Sequence, residues 1–232
     1  MTITARADAM VMGLAVVAGL TVCVPVARAQ QPPRPRAAVA VTIGEGVDSF
    51  MTVYVLELGA GVLRGAGFDV VPPNAASARL RAIHSDAAQC SQAPACTIEL
   101  ATSLHAPMLV LAHVGRDGPR YTLHLTALLV ADGAVEQVSH VEVTGDENQI
   151  AEPVRTVTTA LAARPPPCLV RLDVANGVEL SVDVYGHTAD VASRTLFLRG
   201  GTRQLALSAS GRAAWRGPLQ CEPAHGYRVT VR

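Results

Sequence analysis

Three consecutive prolines, Pro165-Pro166-Pro167, divide the chain into stretches that no single helix or sheet ladder can join. Proline lacks the N–H a helix or ladder needs, and its fixed φ keeps a proline run extended. Residues 164–167 therefore read as a linker between two different grammars. Before it, short apolar runs alternate with segments of helical period, which predicts helices packed on a sheet. After it, short strand-like segments are punctuated by Asn176-Gly177, Gly186, Gly200-Gly201, Gly211 and Gly226, which predicts a small all-β unit.

The first stretch predicts a buried strand over Ala37–Thr42 and a turn at Ile43–Gly46. A helix capped by Asp48 or Ser49 follows, with Phe50, Val53, Leu56, Ala60 and Leu63 on one face. Phe68–Val71 reads as a short strand. Pro72-Pro73 stops it, and Asn74 is the expected cap of a helix to Ile83. A loop holding Cys90, Pro94 and Cys96 leads to a helix over Thr97–His105. Met108–Val114, Tyr121–Val130 and Val135–Val143 are expected strands, joined by turns at Gly115–Pro119 and Asp132-Gly133. Glu147–Ala162 carries Ile150, Val154, Val157 and Leu161 at helical spacing. Beyond the linker, strands are expected at 168–174, 178–184, 195–198, 204–208 and 227–231.

The amino terminus reads as a secretory leader over residues 1–29. Arg6 precedes an apolar run from Met10 to Val26, and Ala27-Arg28-Ala29 offers the small-x-small site of a signal peptidase, leaving Gln30 as the first mature residue. The run is near the lower limit of about 17 residues for a spanning helix, so a retained membrane anchor is the rival reading. Cys23, preceded by Leu20-Thr21-Val22, is a weak match to a lipoprotein signal. Residues 30–36 are a Pro-rich spacer. No later segment is long and apolar enough to span a bilayer. The expected location is the periplasm or the exterior.

Removing the leader leaves Cys90, Cys96, Cys168 and Cys221, an even number in an oxidising compartment. Three pairings exist, and proximity in sequence favours Cys90–Cys96 and Cys168–Cys221. The two-residue spacing typical of zinc and redox cysteine pairs is absent.

Composition removes several chemistries. The 232 residues include no lysine, so Schiff-base, P-loop and kinase lysines are excluded. Lys+Arg and Asp+Glu are both 19, with no basic excess to attract nucleic acid. Aromatics are 3%, which argues against stacking platforms and aromatic cofactor pockets.

The residue pattern over 37–163 resembles the secreted α/β domains grouped with the amino-terminal part of TolB and with the CsgG family. The resemblance rests on Ala37–Thr42 and its following helix, on Gly67-Phe68-Asp69-Val70-Val71, and on Cys90, Cys96, Leu100-Ala101 and Ala106-Pro107-Met108-Leu109-Val110. Pro107-Met108 stands where those relatives carry Asp-Tyr. Residues 168–232 resemble a PEGA domain. Ala175-Asn176-Gly177-Val178 stands at the name motif, and Val182-Asp183-Val184-Tyr185-Gly186, Arg194-Thr195-Leu196 and Gly200-Gly201 follow at the expected spacing. These resemblances imply a two-domain α+β protein: a three-layer α/β domain with a mixed sheet, then a sandwich-like β domain. They imply binding or scaffolding, and supply no catalytic residues, cofactor or metal.

Candidate chemistry in the residues is sparse. His113 and His124 fall on neighbouring strands, with His140 on the next as the third ligand a metal would need, but a polar, solvent-facing stripe of a half-exposed sheet is the favoured reading. His84-Ser85-Asp86 has the letters of a triad without the geometry adjacent residues would need. Asp183 and Asp190 are turn formers before they are paired carboxylates. Gly44-Glu45-Gly46 lacks the third glycine of a nucleotide loop. Trp215, beside Arg212 and Arg216, is a candidate ligand contact as well as a candidate core residue. The expectation is a non-enzymatic envelope interaction protein with a protein partner. The alternatives are a glycan- or peptidoglycan-binding unit acting through Trp215 and, with least support, a secreted hydrolase.

Overall fold

The computed structural model describes residues 3–7, 34–84, 86–174, 180–184, 187–189, 194–209 and 215–231. Among them are five helices and three sheets, a mixed α/β architecture. β1 is Ile3–Ala7, and the expected first buried strand is β2 (Arg36–Ile43). Then come α1 (Ser49–Gly65), β3 (Asp69–Val70), α2 (Pro73–Ile83), α3 (Ala87–Gln92) and α4 (Pro94–Leu104). A meander follows: β4 (Met108–Asp117), β5 (Arg120–Ala131) and β6 (Ala134–Gly145), closed by α5 (Glu147–Ala162). The remaining strands are β7 (Cys168–Val174), β8 (Leu180–Val184), β9 (His187–Ala189), β10 (Thr195–Leu198), β11 (Gly201–Ala209), β12 (Trp215–Cys221) and β13 (Gly226–Val231).

The five-stranded sheet has the order β3-β2-β4-β5-β6. β2 pairs in parallel with β3 and β4, and the meander is antiparallel. Side chains alternate between two cores because successive Cβ atoms in a strand point to opposite faces. Val39, Val41, Val110, Ala112, Leu123 and Leu125 pack against α1 and α5. Ala38, Ala40, Leu109, Leu111, Leu128 and Val130 pack against α2, α3 and α4. This is why β2 and the first half of β4 read as unbroken apolar runs. Gly59 of α1 lets that helix lie close on the sheet: a Cβ there would sit 3.4 Å from Val39 Cγ1.

Local signals account for most element ends. Asp48 caps α1, accepting from Met51 N at 2.9 Å, and its other oxygen accepts from Tyr121 Oη at 2.9 Å. Asp146 and Gln149 form a capping box on α5. Asp132 and Gly133 take φ of 55° and 74°, the left-handed pair that a two-residue hairpin requires.

Several expectations are corrected. Asn74 is not the cap of α2; Pro73 opens that helix, where its missing N–H costs nothing. The segment with the first cysteine pair is not a loop. Cys90 lies in α3 and Cys96 in α4, and their disulfide spans the helix junction with a Cα–Cα distance of 5.4 Å. The turn expected at Gly115–Pro119 is only its last part, since β4 runs on to Asp117. β9 and β12 were not anticipated, and Ile3–Ala7, inside the expected leader, pairs as a strand with β13.

The carboxy-terminal strands form two four-stranded sheets, β1-β13-β7-β10 and β12-β11-β8-β9. The Cys168–Cys221 disulfide joins β7 of one to β12 of the other. This part also seats on the first. Phe197 of β10 is buried in the core with Leu128 and Val130, and its carbonyl accepts from Asp132 N at 2.8 Å. Around that contact Glu136 holds both Arg164 and Arg199, the latter at 2.6 Å, and Asp132 Oδ1 accepts from Arg199 N at 3.1 Å.

Candidate functional site

The register of the five-stranded sheet settles which histidines share a face. Thr42, His113, His124 and Glu142 are successive cross-strand partners on β2, β4, β5 and β6. They form one polar row on the α2–α4 side, beside the start of α3. The next row inward is Ala40, Leu111, Thr126 and His140. Thr42 Oγ1 accepts from Ala87 N at 3.0 Å and lies 3.0 Å from His113 Nδ1. Asp86 Oδ1 is 3.6 Å from the same imidazole nitrogen. The His113 and His124 rings are tilted, 6.3 Å between centroids. His124 Nδ1 is hydrogen-bonded to Glu142 Oε1 at 2.9 Å, and His140 Nε2 lies 3.6 Å from that oxygen. Thr126 Oγ1 and His140 Nδ1 close the set at 2.9 Å.

The row lies at the carboxyl end of β2 and midway along β4. Thr42 is buried, while the imidazoles and carboxylates are a quarter to two thirds exposed. Among the described residues, no group of three or more His, Cys, Asp or Glu is placed to hold a metal ion. Sequence spacing brought His113, His124 and His140 to neighbouring strands, but Thr42, Asp86 and Glu142 were missed. Only the long-range pairing β2–β4 and the register of β6 reveal them.

The row ends on an open edge. β6 is the last strand of its sheet, and among the described residues nothing pairs with its outer side. Glu142, His140 and Thr144 are exposed there, while Val141 and Val143 on the other face pack against the first core. A register shift between Ala127 and Leu128 places a bulge in β6 near Val138. Toward its amino end the strand is covered by the Arg164 and Arg199 contacts to Glu136, so the open portion is the second half. A separate apolar surface lies at the start of α1, where Phe50 and Val53 are more than half exposed and Phe50 stacks on Tyr54 at 6.0 Å.

The other sequence candidates fall apart as a site. His84 and Asp86 are joined locally, Asp86 N donating to His84 Nδ1 at 3.2 Å, while Asp86 caps α3 through Ala88 N. Ser85 lies outside the described residues, as do Asp190, Arg212, Ala27, Ala29 and Gln30. Asp183 pairs with Ala206 in the β8–β11 ladder. Trp215 begins β12 opposite Leu207, and the neighbouring Arg216 is exposed opposite Ala206. Gly46, with φ of 73°, is a turn residue whose carbonyl accepts from Arg116 Nη1 at 3.1 Å. Among the described residues no helix is long and apolar enough to cross a membrane.

No protein-family model matches the chain, and no curated protein matches it. Among solved structures it is similar to PelC dodecamers from Paraburkholderia phytofirmans. A single-residue variant of PelC gives 20% identity and a TM-score of 0.35, covering 57% of this chain and 91% of that one. A second PelC dodecamer gives 17% identity and a TM-score of 0.34, covering 70% of this chain and 98% of the other. At such scores the likeness constrains neither fold nor function.

Proposed function

We propose that this chain is a secreted, non-enzymatic interaction protein of the cell envelope, working in the periplasm or outside the cell after its leader is cleaved. In this reading, residues 37–163 are a TolB- and CsgG-like unit and residues 168–232 a PEGA-like β unit. The observation that carries the proposal is the unpaired outer edge of β6, flanked by the imidazole–carboxylate row. A free edge presents backbone donors and acceptors that an extended segment of a partner can complete. An added strand would take main-chain hydrogen bonds from β6 and lay alternate side chains beside His140 and Glu142. The row then supplies selectivity, and the exposed Phe50 and Val53 supply a second contact.

A photo-crosslinking residue at Thr144, in the native envelope with and without muramidase digestion, tests this. A discrete protein adduct that survives digestion is the expected result. Recovery only with undigested wall would sink the proposal in favour of peptidoglycan binding. In that event Trp215→Ala should abolish retention on isolated wall while the protein stays folded.

A further inference from the structure

The sheet β1-β13-β7-β10 has an unusual outermost member. Its edge position beside β13 is filled by Ile3–Ala7, antiparallel, with Ile3 opposite Val231 and Ala7 opposite Tyr227. Those five residues belong to the segment read as a leader, whose cleavage before Gln30 would strip them from the mature chain. β13 would then be left with one unpaired side. It is anchored on the other side by six parallel pairs with β7, from Gly226–Leu169 to Val231–Val174. Val229 is buried beneath it, so the strand stays fixed whether or not its outer edge is filled.

The charges along this edge say what kind of strand fits. Arg228 and Arg171 are direct partners on β13 and β7, and both are exposed. Among the described residues, the carboxylate paired with Arg228 is that of Asp173, 3.3 Å from Nε. The register sets Arg6 across from Arg228. A basic residue at that cross-strand position is unfavourable, and an acidic one is favourable. The leader sequence is thus a competent backbone partner with the wrong charge at its centre.

We infer that the mature protein uses the vacated edge of β13 as a strand-addition site for an antiparallel segment of an envelope protein, with an acidic residue opposite Arg228. The inference deepens the proposed function and rests on it, at a different edge from β6. It also rests on cleavage of residues 1–29.

The test uses the protein secreted from its full-length gene, with its amino terminus determined by mass spectrometry. The probes are two synthetic peptides, Ile-Thr-Ala-Arg-Ala, which copies residues 3–7, and Ile-Thr-Ala-Glu-Ala. The readouts are hydrogen exchange over residues 226–231 and peptide affinity by titration. The mature chain should begin at Gln30, and the outward amides of β13 should exchange quickly until peptide is added. The Glu peptide should bind about fivefold more tightly than the Arg peptide. Arg228→Glu should reverse that order, and Arg228→Gln should remove it. Retention of residues 3–7 would overturn the inference, because the edge is then permanently filled. So would an absence of peptide protection, a preference unaffected at Arg228, or amides already protected by dimerisation of the mature chain. Crosslinking at Thr144 reads β6 alone, so failure there and failure here are separate results.

Discussion

Asp48 does two jobs with one carboxylate. One oxygen caps α1 and the other ties that helix to β5 through Tyr121. The Met51 amide and then the Tyr121 hydroxyl favour the ionised form, holding the Asp48 pKa below its ordinary 3.8. The same hydrogen bond raises the Tyr121 pKa above 10.0. For a carboxylate lowered in the folded state, the stabilisation is fully present above 3.8 and is lost as pH falls through the lower folded value. Asp48→Asn should therefore flatten the acid limb of the stability profile below about pH 4, as measured by denaturant midpoints. Glu136 behaves alike, held below 4.5 chiefly by its hydrogen bond from Arg199. Its two arginines sit on the linker and after β10, so Glu136→Gln should cost about 0.5–1 kcal/mol. It should also speed hydrogen exchange at Asp132 N, bonded to Phe197 O, because Arg199 links Glu136 to Asp132. Unchanged exchange there would deny the clamp.

At the scale of elements, α1 packs against Val39 of β2 at Gly59. A single methyl at that position meets Val39 at ordinary contact distance. Gly59→Ala should thus be tolerated and gain up to about 1 kcal/mol from helix propensity. Gly59→Leu overfills the same gap and should cost about 1–3 kcal/mol. Chemical denaturation of the pair checks both signs. Legibility in the sequence also divides at this scale. The helix over 147–162 and the hairpin at Asp132-Gly133 were readable because helical spacing and turn chemistry are local. α3 was not, because a six-residue helix ended by Pro94 and carrying one half of a disulfide has no apolar period to display. β9 and β12 were hidden for a related reason: short strands without strict alternation are specified by their ladder partners.

For the whole molecule, the two disulfides carry unequal weight. Cys168–Cys221 closes 53 residues and joins two sheets, whereas Cys90–Cys96 closes six within one helical junction. The chain-entropy model assigns about 4 kcal/mol to the first loop and about 2 to the second. Paired serine substitutions should follow that order in equilibrium unfolding. The larger loss should loosen the two carboxy-terminal sheets from each other, and equal losses would contradict the entropic account. The sequence by itself determined the alternation of apolar runs and helical stretches, the hairpin turn at Asp132-Gly133, the two cysteine pairs and the absence of lysine chemistry. Each of these is written in neighbouring residues or simple counts. Tertiary structure alone decided that Thr42, His113, His124 and Glu142 form one row, that β6 ends its sheet, and that Phe197 seats in the core of the preceding part. Register and edge position depend on which distant strands pair, and a shift of one residue would send every one of those side chains to the opposite face.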